Sequence, residues 1–426
     1  MNEFVVEGGN TLNGEIIISG NKNAILPMIA ASLLTDKELI LRNAPDILDV
    51  RSMIEIAASL GVESSFIGKV LTLKASKIIR TEISEELSSK LRASILFAGP
   101  LLARCGSAKI AAPGGDRIGR RRLDAHFYGL KCLGAKFAEL DGKYVFQAEC
   151  LKGRELFFDE ASVTATEDVL MASVLAKGRT VIRNAASEPH VAELGELLVK
   201  MGAKISGLGS DTLTVDGVEK LNGAEWTLRG DHIEAGSFLA LAAAVGGEIK
   251  INGTMPSSLW MTRRVFEKFN AKMEIRKDFV KFQGGQRLKI NPEVGNAIPV
   301  ISDGPWPQYP TDMMSCTIVM ATQAKGSALF FEKMFESRIF FVDRLISMGA
   351  NALICDPHRV LINGPSQLYG AEMSSPDIRA GMAMLIAALC AKGKSVIRNA
   401  DVIMRGYENI VGKLQSLNAK IQVRKT

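Results

Sequence analysis

Apolar positions along the chain follow three recurring patterns. Runs rich in Ala, Leu and Met, such as Val169–Ala176, predict helices. Short β-branched runs such as Thr180-Val181-Ile182 predict strands. Stretches such as His190–Met201, apolar at Val191, Leu194, Leu197, Leu198 and Met201, predict helices with one buried face. In this region Lys177-Gly178 stops the first helix, Gly202 caps the second, and Ala203–Ile205 begins another strand.

The same order recurs six times. A large apolar residue, then Gly or Asn, then Ala or Val marks each unit, at Leu60-Gly61-Val62, Leu133-Gly134-Ala135, Met201-Gly202-Ala203, Phe269-Asn270-Ala271, Met348-Gly349-Ala350 and Leu417-Asn418-Ala419. The middle residues are 73, 68, 68, 79 and 69 positions apart, so near-equal units fill the chain. Units this long that alternate helices with strands bury their helices against their own sheets, which predicts compact α/β modules. A chain of 426 residues also exceeds the roughly 250–300 at which one core stops growing. Three modules per domain and two domains follow. The division is placed near Gly230, giving one domain over 22–230 and another from 1–21 plus 231–426, with a two-crossing hinge near 20 and 230. A first strand over Phe4–Ile18 must pair where it leaves the first helix to begin at Lys22.

Composition narrows the class. With 47% hydrophobic and 23% charged residues, the balance is that of an ordinary folded protein. The apolar runs Ala93–Ala103 and Ala380–Ala391 fall short of the ~20 residues a membrane span needs. The start, Met1–Glu7, lacks the basic and apolar regions of a signal peptide, so a cytoplasmic protein without membrane association is expected. Cys105, Cys132, Cys150, Cys316, Cys355 and Cys390 are scattered without a C-x-x-C pair, which argues against a disulfide framework and a zinc site. A net charge of +6 without a basic tract or interleaved aromatics argues against nucleic acid and leaves small anions as ligands.

Three segments carry candidate chemistry. Ser19-Gly20-Asn21-Lys22-Asn23 precedes a helix, where backbone N–H groups, the helix dipole and a lysine can converge on an anion, although Asn as an ordinary N-cap beside a solvated lysine explains the pentapeptide equally. The loop over 112–122 joins Gly114, Gly115 and Gly119 to Asp116 and to Arg117, Arg120, Arg121 and Arg122. Glycines confer mobility and guanidinium forks grip carboxylate or phosphate. Arginines packed this closely repel one another unless an anion neutralises them, which predicts a functional lid, with Asp116 as an acid beside bound anions. Tyr309-Pro310-Thr311-Asp312 puts a carboxylate at a helix start, where a cap is the simpler role. Arg92, Arg338, Arg379 and Arg405 lie in or beside apolar sequence and need partners there.

Taken together these motifs resemble the enolpyruvyl transferase family, from about Phe4 to about Val423. The resemblance is carried by Lys22-Asn23-Ala, Arg92-Ala-Ser, Pro-Gly-Gly-Asp116-x-Ile-Gly followed by Arg121 and Asp124-x-His126, Ser162-Val163-x-Ala-Thr166, Asn184-Ala-Ala-x-Glu188-Pro189, Pro-Thr-Asp312-Met, Phe335-Glu-x-Arg338, Asp377-x-Arg379-Ala and Arg405-Gly-Tyr407. It implies a two-domain inside-out α/β barrel of six βαβαββ repeats, three per domain about a pseudo-threefold axis, closing on substrate. It also implies transfer of the enolpyruvyl group of phosphoenolpyruvate to the 3-hydroxyl of UDP-N-acetylglucosamine, through a tetrahedral intermediate, at the entry to peptidoglycan synthesis. No metal, organic cofactor or obligate protein partner is implied.

Carried over by residue, Lys22, Arg121 and Arg405 resemble the phosphoenolpyruvate clamp, with Arg92 and Arg379 supporting it. Asn23, Asp312 and Arg338 resemble contacts to the amino sugar, Asp312 being also the candidate base. Ser162, Val163 and the edge Arg121, Arg122, Leu123 and Asp124, with Arg92, resemble contacts to the uridine diphosphate. Asp116, Lys22, Asp312 and Arg405 form the implied catalytic set. The chain departs from the family at Asp116, where most members have Cys, at Arg122 for Pro, Glu160 for Lys, Thr164 for Gly and Met404 for Asp. A carboxylate at 116 is far less reactive toward the epoxide fosfomycin than a thiolate, so insensitivity to that drug is expected. Transfer to another nucleotide acceptor such as UMP, or a silent UDP-sugar-binding relative, would use the same fold.

Overall fold

The structure is a computed structural model and describes residues 2–116, 118–119 and 121–425. The chain separates into two compact units. The inserted unit comprises 20–116 and 121–228; the terminal unit comprises, among the described residues, 2–19, 118–119 and 229–425.

Among the described residues each unit holds three four-stranded sheets. All six share one plan, in which the second strand pairs parallel with the first and antiparallel with the third, and the fourth lies antiparallel beside the third. One sheet shows the order of a repeat. Glu155–Phe157 crosses through helix Val163–Ser173 to Arg179–Arg183, then through helix Pro189–Lys200 to Lys204–Ser206 and Thr212–Asp216. Ile182 faces Leu213, and Thr180 faces Val215, on the buried side, while Arg179 and Arg183 are exposed. Each such aliphatic side chain contributes about 1.5–3 kcal/mol by leaving water. The helix predicted over 169–176 starts six residues earlier and ends at Ser173, because Glu167 and Asp168 are buried within it rather than ending it.

The six tripeptides that defined the repeat have a common geometry. Gly61, Gly134, Gly202 and Gly349 have φ between 98° and 108°, and Asn270 and Asn418 have φ of 54° and 68°. A helix that must reverse into a strand ends there in a left-handed residue, which Gly and Asn tolerate. A second marker lies at Asn43, Asn184 and Asn399, also at positive φ, whose side-chain amides donate to Leu228, Phe158 and Ser375 carbonyls.

Two sheets are completed out of chain order. Ala224–Thr227 pairs with Glu38–Arg42, and Asn2–Glu7 lies between Lys394–Arg398 and Lys420–Lys425. The single strand predicted over Phe4–Ile18 is therefore two, since Gly14–Ile17 joins Ile249–Asn252 in another sheet. The break is at Gly8-Gly9, where a Cβ on Gly8 would stand 2.1 Å from the Ala388 carbonyl oxygen.

The Ala/Leu/Met-rich helices are the inner layer of each unit. In the terminal unit His232–Val245, Thr311–Thr322 and Ile378–Cys390 pack on one another, with Ile378–Leu389 wholly buried. In the inserted unit Lys22–Ala31, Ala98–Cys105 and Val163–Ser173 take this place. Each unit has its own apolar core, and the sheets turn one face inward onto these helices. The chain thus forms two inside-out α/β units of three βαβαββ repeats each. No helix among the described residues is long and apolar enough to cross a membrane.

Candidate active site

The helix starts of the repeats carry most of the predicted residues, and they end in two ways. Asn21, Asp231 and Asp377 cap their helices, each accepting two backbone N–H groups. The helices beginning at Val163 and Thr311 and the 3₁₀ turn beginning at Arg92 have no side-chain cap. These three starts present Ser162 and Val163, Asp312, and Arg92. Backbone N–H groups not taken by a side chain suit a helix start to an anionic or polar ligand.

In the inserted unit Asn21 Oδ1 accepts from the Asn23 and Ala24 N–H groups at 2.9 and 3.3 Å, so the cap reading holds for this helix start. Lys22, however, is not a solvated lysine. Its ammonium lies 2.7 Å from Asp49, with the two side chains 10% and 7% exposed. Arg92 donates to the Arg122 carbonyl at 2.8 Å. Burial and the neighbouring Arg121 bring its guanidinium down to about 10, the response of cations crowded together with little water. Arg122 forms a two-pronged pair with Asp124 at 2.7 and 2.9 Å, and both groups are exposed. Arg122 is thus engaged by Asp124, while Glu160 stands exposed beside the Ser162 turn. Leu123 is buried ahead of helix Asp124–Cys132.

Near Ser162 and Val163 lies a chain of polar groups that the sequence did not mark. Gly99 N–H donates to Asp168 Oδ1 at 2.6 Å, Asp168 Oδ2 meets His126 Nδ1 at 3.1 Å, and His126 Nε2 meets the Thr164 hydroxyl at 3.0 Å. Burial raises the Asp168 carboxyl, and His126 opposes that shift.

In the loop, Asp116 is half-buried; Arg117 and Arg120 lie outside the described residues. Gly114 and Gly115 fit against the Ser88–Arg92 turn, where a Cβ on Gly114 would stand 1.8 Å from the Ser89 carbonyl oxygen. Ile118 and Gly119 group with the terminal unit, the Ile118 carbonyl accepting from Ser337 N–H at 3.4 Å.

The terminal unit holds the most concentrated charge. Asp312 gives one carboxylate oxygen to Arg338 Nη1 at 2.8 Å and the other to Arg379 Nε at 2.9 Å. Desolvation alone would raise this carboxyl, but the Arg379 and Arg338 guanidiniums outweigh it and hold the group well below the usual carboxylate range. Arg379 also lies over the Tyr407 ring, 5.3 Å from its centroid, and the Tyr407 hydroxyl meets Ser237 at 2.8 Å. Arg338 Nε and Arg379 Nη1 are buried with no acceptor among the described residues. Two oriented donors beside one carboxylate can receive a further anion or hydroxyl. Arg405 ends the short helix Asp401–Met404, and Met404 packs against the apolar core rather than presenting an acid.

Asp312, Arg338 and Arg379 are therefore brought together, as are Arg92, Arg121 and Arg122. Sequence reasoning missed Asp49 and the His126–Asp168 pair. Buried charges in apolar helices were the available signal for Asp168, whereas nothing local marks Asp49 as the partner of Lys22. Among the described residues no group of three or more His, Cys, Asp or Glu side chains could hold a metal ion.

Fold and site together define an α/β protein built by sixfold repetition, in which buried guanidiniums retain unused donors. The profile of EPSP synthase (3-phosphoshikimate 1-carboxyvinyltransferase) matches residues 6–414. A UDP-N-acetylglucosamine 1-carboxyvinyltransferase of Treponema denticola is 50% identical over 425 residues, covering 100% of both chains. That of Borreliella burgdorferi is 49% identical over 422 residues and 99% of both. Two solved structures have a similar fold: the enolpyruvyl transferase NikO of Streptomyces tendae (TM-score 0.88, 21% identity, 100% and 99% covered) and EPSP synthase of Acinetobacter baumannii (TM-score 0.76, 16% identity, 100% of both covered). The chain belongs to the EPSP synthase family of enolpyruvyl transferases.

Proposed function

We propose that the chain transfers the enolpyruvyl group of phosphoenolpyruvate to the 3-hydroxyl of UDP-N-acetylglucosamine, releasing phosphate and committing the sugar to peptidoglycan. The observation that carries this reading is the full-length similarity to relatives of that name, at about half identity. The pairing of Asp312 with two guanidiniums that keep unsatisfied donors supports it.

In the addition step a C–O bond forms between the sugar oxygen and C2 of phosphoenolpyruvate, while C3 gains a proton. In the elimination step C3 loses a proton and the C2–O bond to phosphate breaks. Asp116 is assigned to proton transfer at C3 and Asp312 to the sugar hydroxyl. A carboxylate held by two guanidiniums is a weak base, so Asp312 gains basicity only as substrate draws a guanidinium away. Lys22, Arg121 and Arg405, with Arg92 and Arg379, neutralise the phosphate and carboxylate of phosphoenolpyruvate, and Asn23 and Arg338 hold the sugar. Ser162, Val163, Leu123 and Asp124 receive the nucleotide. The loop bearing Asp116 acts as a lid that excludes water, with the crossings near 20 and 230 as the hinge, in the cytoplasm.

The test is phosphate release from phosphoenolpyruvate with UDP-N-acetylglucosamine, UMP, shikimate 3-phosphate or no acceptor. Release only with the amino sugar, lost in Asp116→Asn, supports the reading; release with UMP moves the enzyme to another acceptor, and none with any acceptor leaves a binding protein.

A further inference from the structure

The buried chain from Gly99 to Thr164 joins three elements of the inserted unit and has no part in the chemistry above. The His126 and Asp168 side chains are 1% and 0% exposed. Asp168 Oδ1 accepts from Gly99 N–H at the start of helix Ala98–Cys105, and Oδ2 meets Nδ1 of His126 in helix Asp124–Cys132. With Nδ1 taken by Asp168 the ring has only Nε2 to offer, and this meets the Thr164 hydroxyl at 3.0 Å. Both ring nitrogens and both carboxyl oxygens are thereby used within the protein.

Two glycines bring the helices close enough for these bonds. A Cβ on Gly99 would stand 2.2 Å from the Asp168 carbonyl oxygen, and one on Gly129, a turn after His126, would stand 2.4 Å from Val169 Cγ2. Helix Val163–Ser173 is therefore held firmly by its neighbours at Asp168 and Val169. Its start is not fastened from within: Ser162 gives no capping bond, and half-buried Thr164 turns its hydroxyl to His126 instead of to its own backbone. His126 lies two residues after Asp124, and Thr164 lies one after Val163. The His126–Thr164 bond is thus a strut between the segment that ends at Asp124 and the Ser162–Val163 turn.

We propose that His126 and Thr164 are positioning residues whose bond, anchored on Asp168, sets the spacing between Leu123–Asp124 and Ser162–Val163 and through it the grip on the acceptor's nucleotide. This rests on the assignment of those two segments to the uridine diphosphate. Neither side chain needs to touch the nucleotide, since the ring is enclosed and the hydroxyl is bonded to it. Without the bond the Ser162 turn is ordered only as ligand binds, and that ordering is subtracted from the affinity. Lys22, Arg379 and Arg405 lie in other elements, so the grip on phosphoenolpyruvate is spared.

The experiment is calorimetric binding of UDP, with kcat and both KM values for phosphate release, in the wild type, Thr164→Val, Thr164→Ser, His126→Asn and the Thr164→Val/His126→Asn double variant. Valine keeps the branched shape without the hydroxyl, and the asparagine amide can serve Asp168 but is too short to reach Thr164. Thr164→Val is expected to weaken UDP about tenfold and to raise the KM for UDP-N-acetylglucosamine to match. Its kcat, and its KM for phosphoenolpyruvate at saturating acceptor, should stay within about twofold of wild type. Thr164→Ser, which keeps the hydroxyl, should restore UDP affinity to within about threefold. Because His126 and Thr164 act through one bond, the double variant should bind UDP no more weakly than either single one. Wild-type UDP affinity in Thr164→Val, an equal loss toward phosphoenolpyruvate, or losses that multiply in the double variant overturn the proposal. If His126→Asn does not fold, Thr164→Val against Thr164→Ser decides it. A protein that binds UDP, loses that affinity in Thr164→Val and yet releases no phosphate sinks the transfer reading while the strut stands; a wild type that binds no UDP overturns the strut.

Discussion

The Lys22 ammonium lies 2.7 Å from the Asp49 carboxylate, with both side chains at least nine-tenths enclosed. Breaking such a pair strands a buried charge, at a cost of about 3–5 kcal/mol. Lys22→Met should therefore lose stability as well as turnover. Adding Asp49→Leu should restore most of the stability to urea but none of the turnover. Equal stability of the two variants would show that the pair matters only for phosphoenolpyruvate.

Asp116 is expected to deliver a proton, a role that either a carboxyl or a thiol can fill. Asp116→Asn should lose at least about a hundredfold in kcat. Asp116→Cys should keep turnover within about tenfold of wild type and become subject to time-dependent inactivation by fosfomycin, with an adduct at position 116 by mass spectrometry. Wild-type protein should survive the same exposure; a mapped adduct on Asp116 would count against this account.

Asp312 is held ionised by Arg379 and Arg338, and its side chain is 26% exposed. A depressed folded pKa stabilises the fold above the unfolded value near 4, and that contribution is lost as pH falls through the lower folded value. Asp312→Asn should therefore be about 3–5 kcal/mol less stable than wild type at pH 7, because two buried guanidiniums lose their partner. In urea titrations the gap should narrow as pH falls below about 4.

Glu160 stands exposed beside the Ser162 turn, and Arg122 is committed to Asp124. A carboxylate near a bound diphosphate costs about 1 kcal/mol at a wet surface. Glu160→Lys should lower the KM for UDP-N-acetylglucosamine roughly three- to tenfold, and the gain should shrink with added salt. The KM for phosphoenolpyruvate should not move. A change in both would place Glu160 nearer the reacting centre than the nucleotide.

The repeat was legible because its marks are local. A helix that reverses into a strand needs a left-handed residue, and Gly61, Gly134, Gly202, Asn270, Gly349 and Asn418 supply one at near-regular intervals. Composition likewise marked the inner helix that runs over Val163–Ser173, although its start was placed six residues late. The candidate residues stood out where charge interrupted apolar sequence, as at Arg92, Arg338 and Arg379, or crowded a glycine loop, as at 114–122.

Partners were not legible, because a side chain's neighbour is set by how distant segments meet. Only the folded chain decides that Asp312 is shared by residues 26 and 67 positions away, that Lys22 is matched by Asp49, and that Phe4–Ile18 feeds two sheets. The amino-acid sequence by itself determined the sixfold repeat and the α/β class, since these follow from local backbone preference and residue type. Tertiary structure alone decided which charges are paired, buried or left with an unused donor, since those depend on distance and the loss of water.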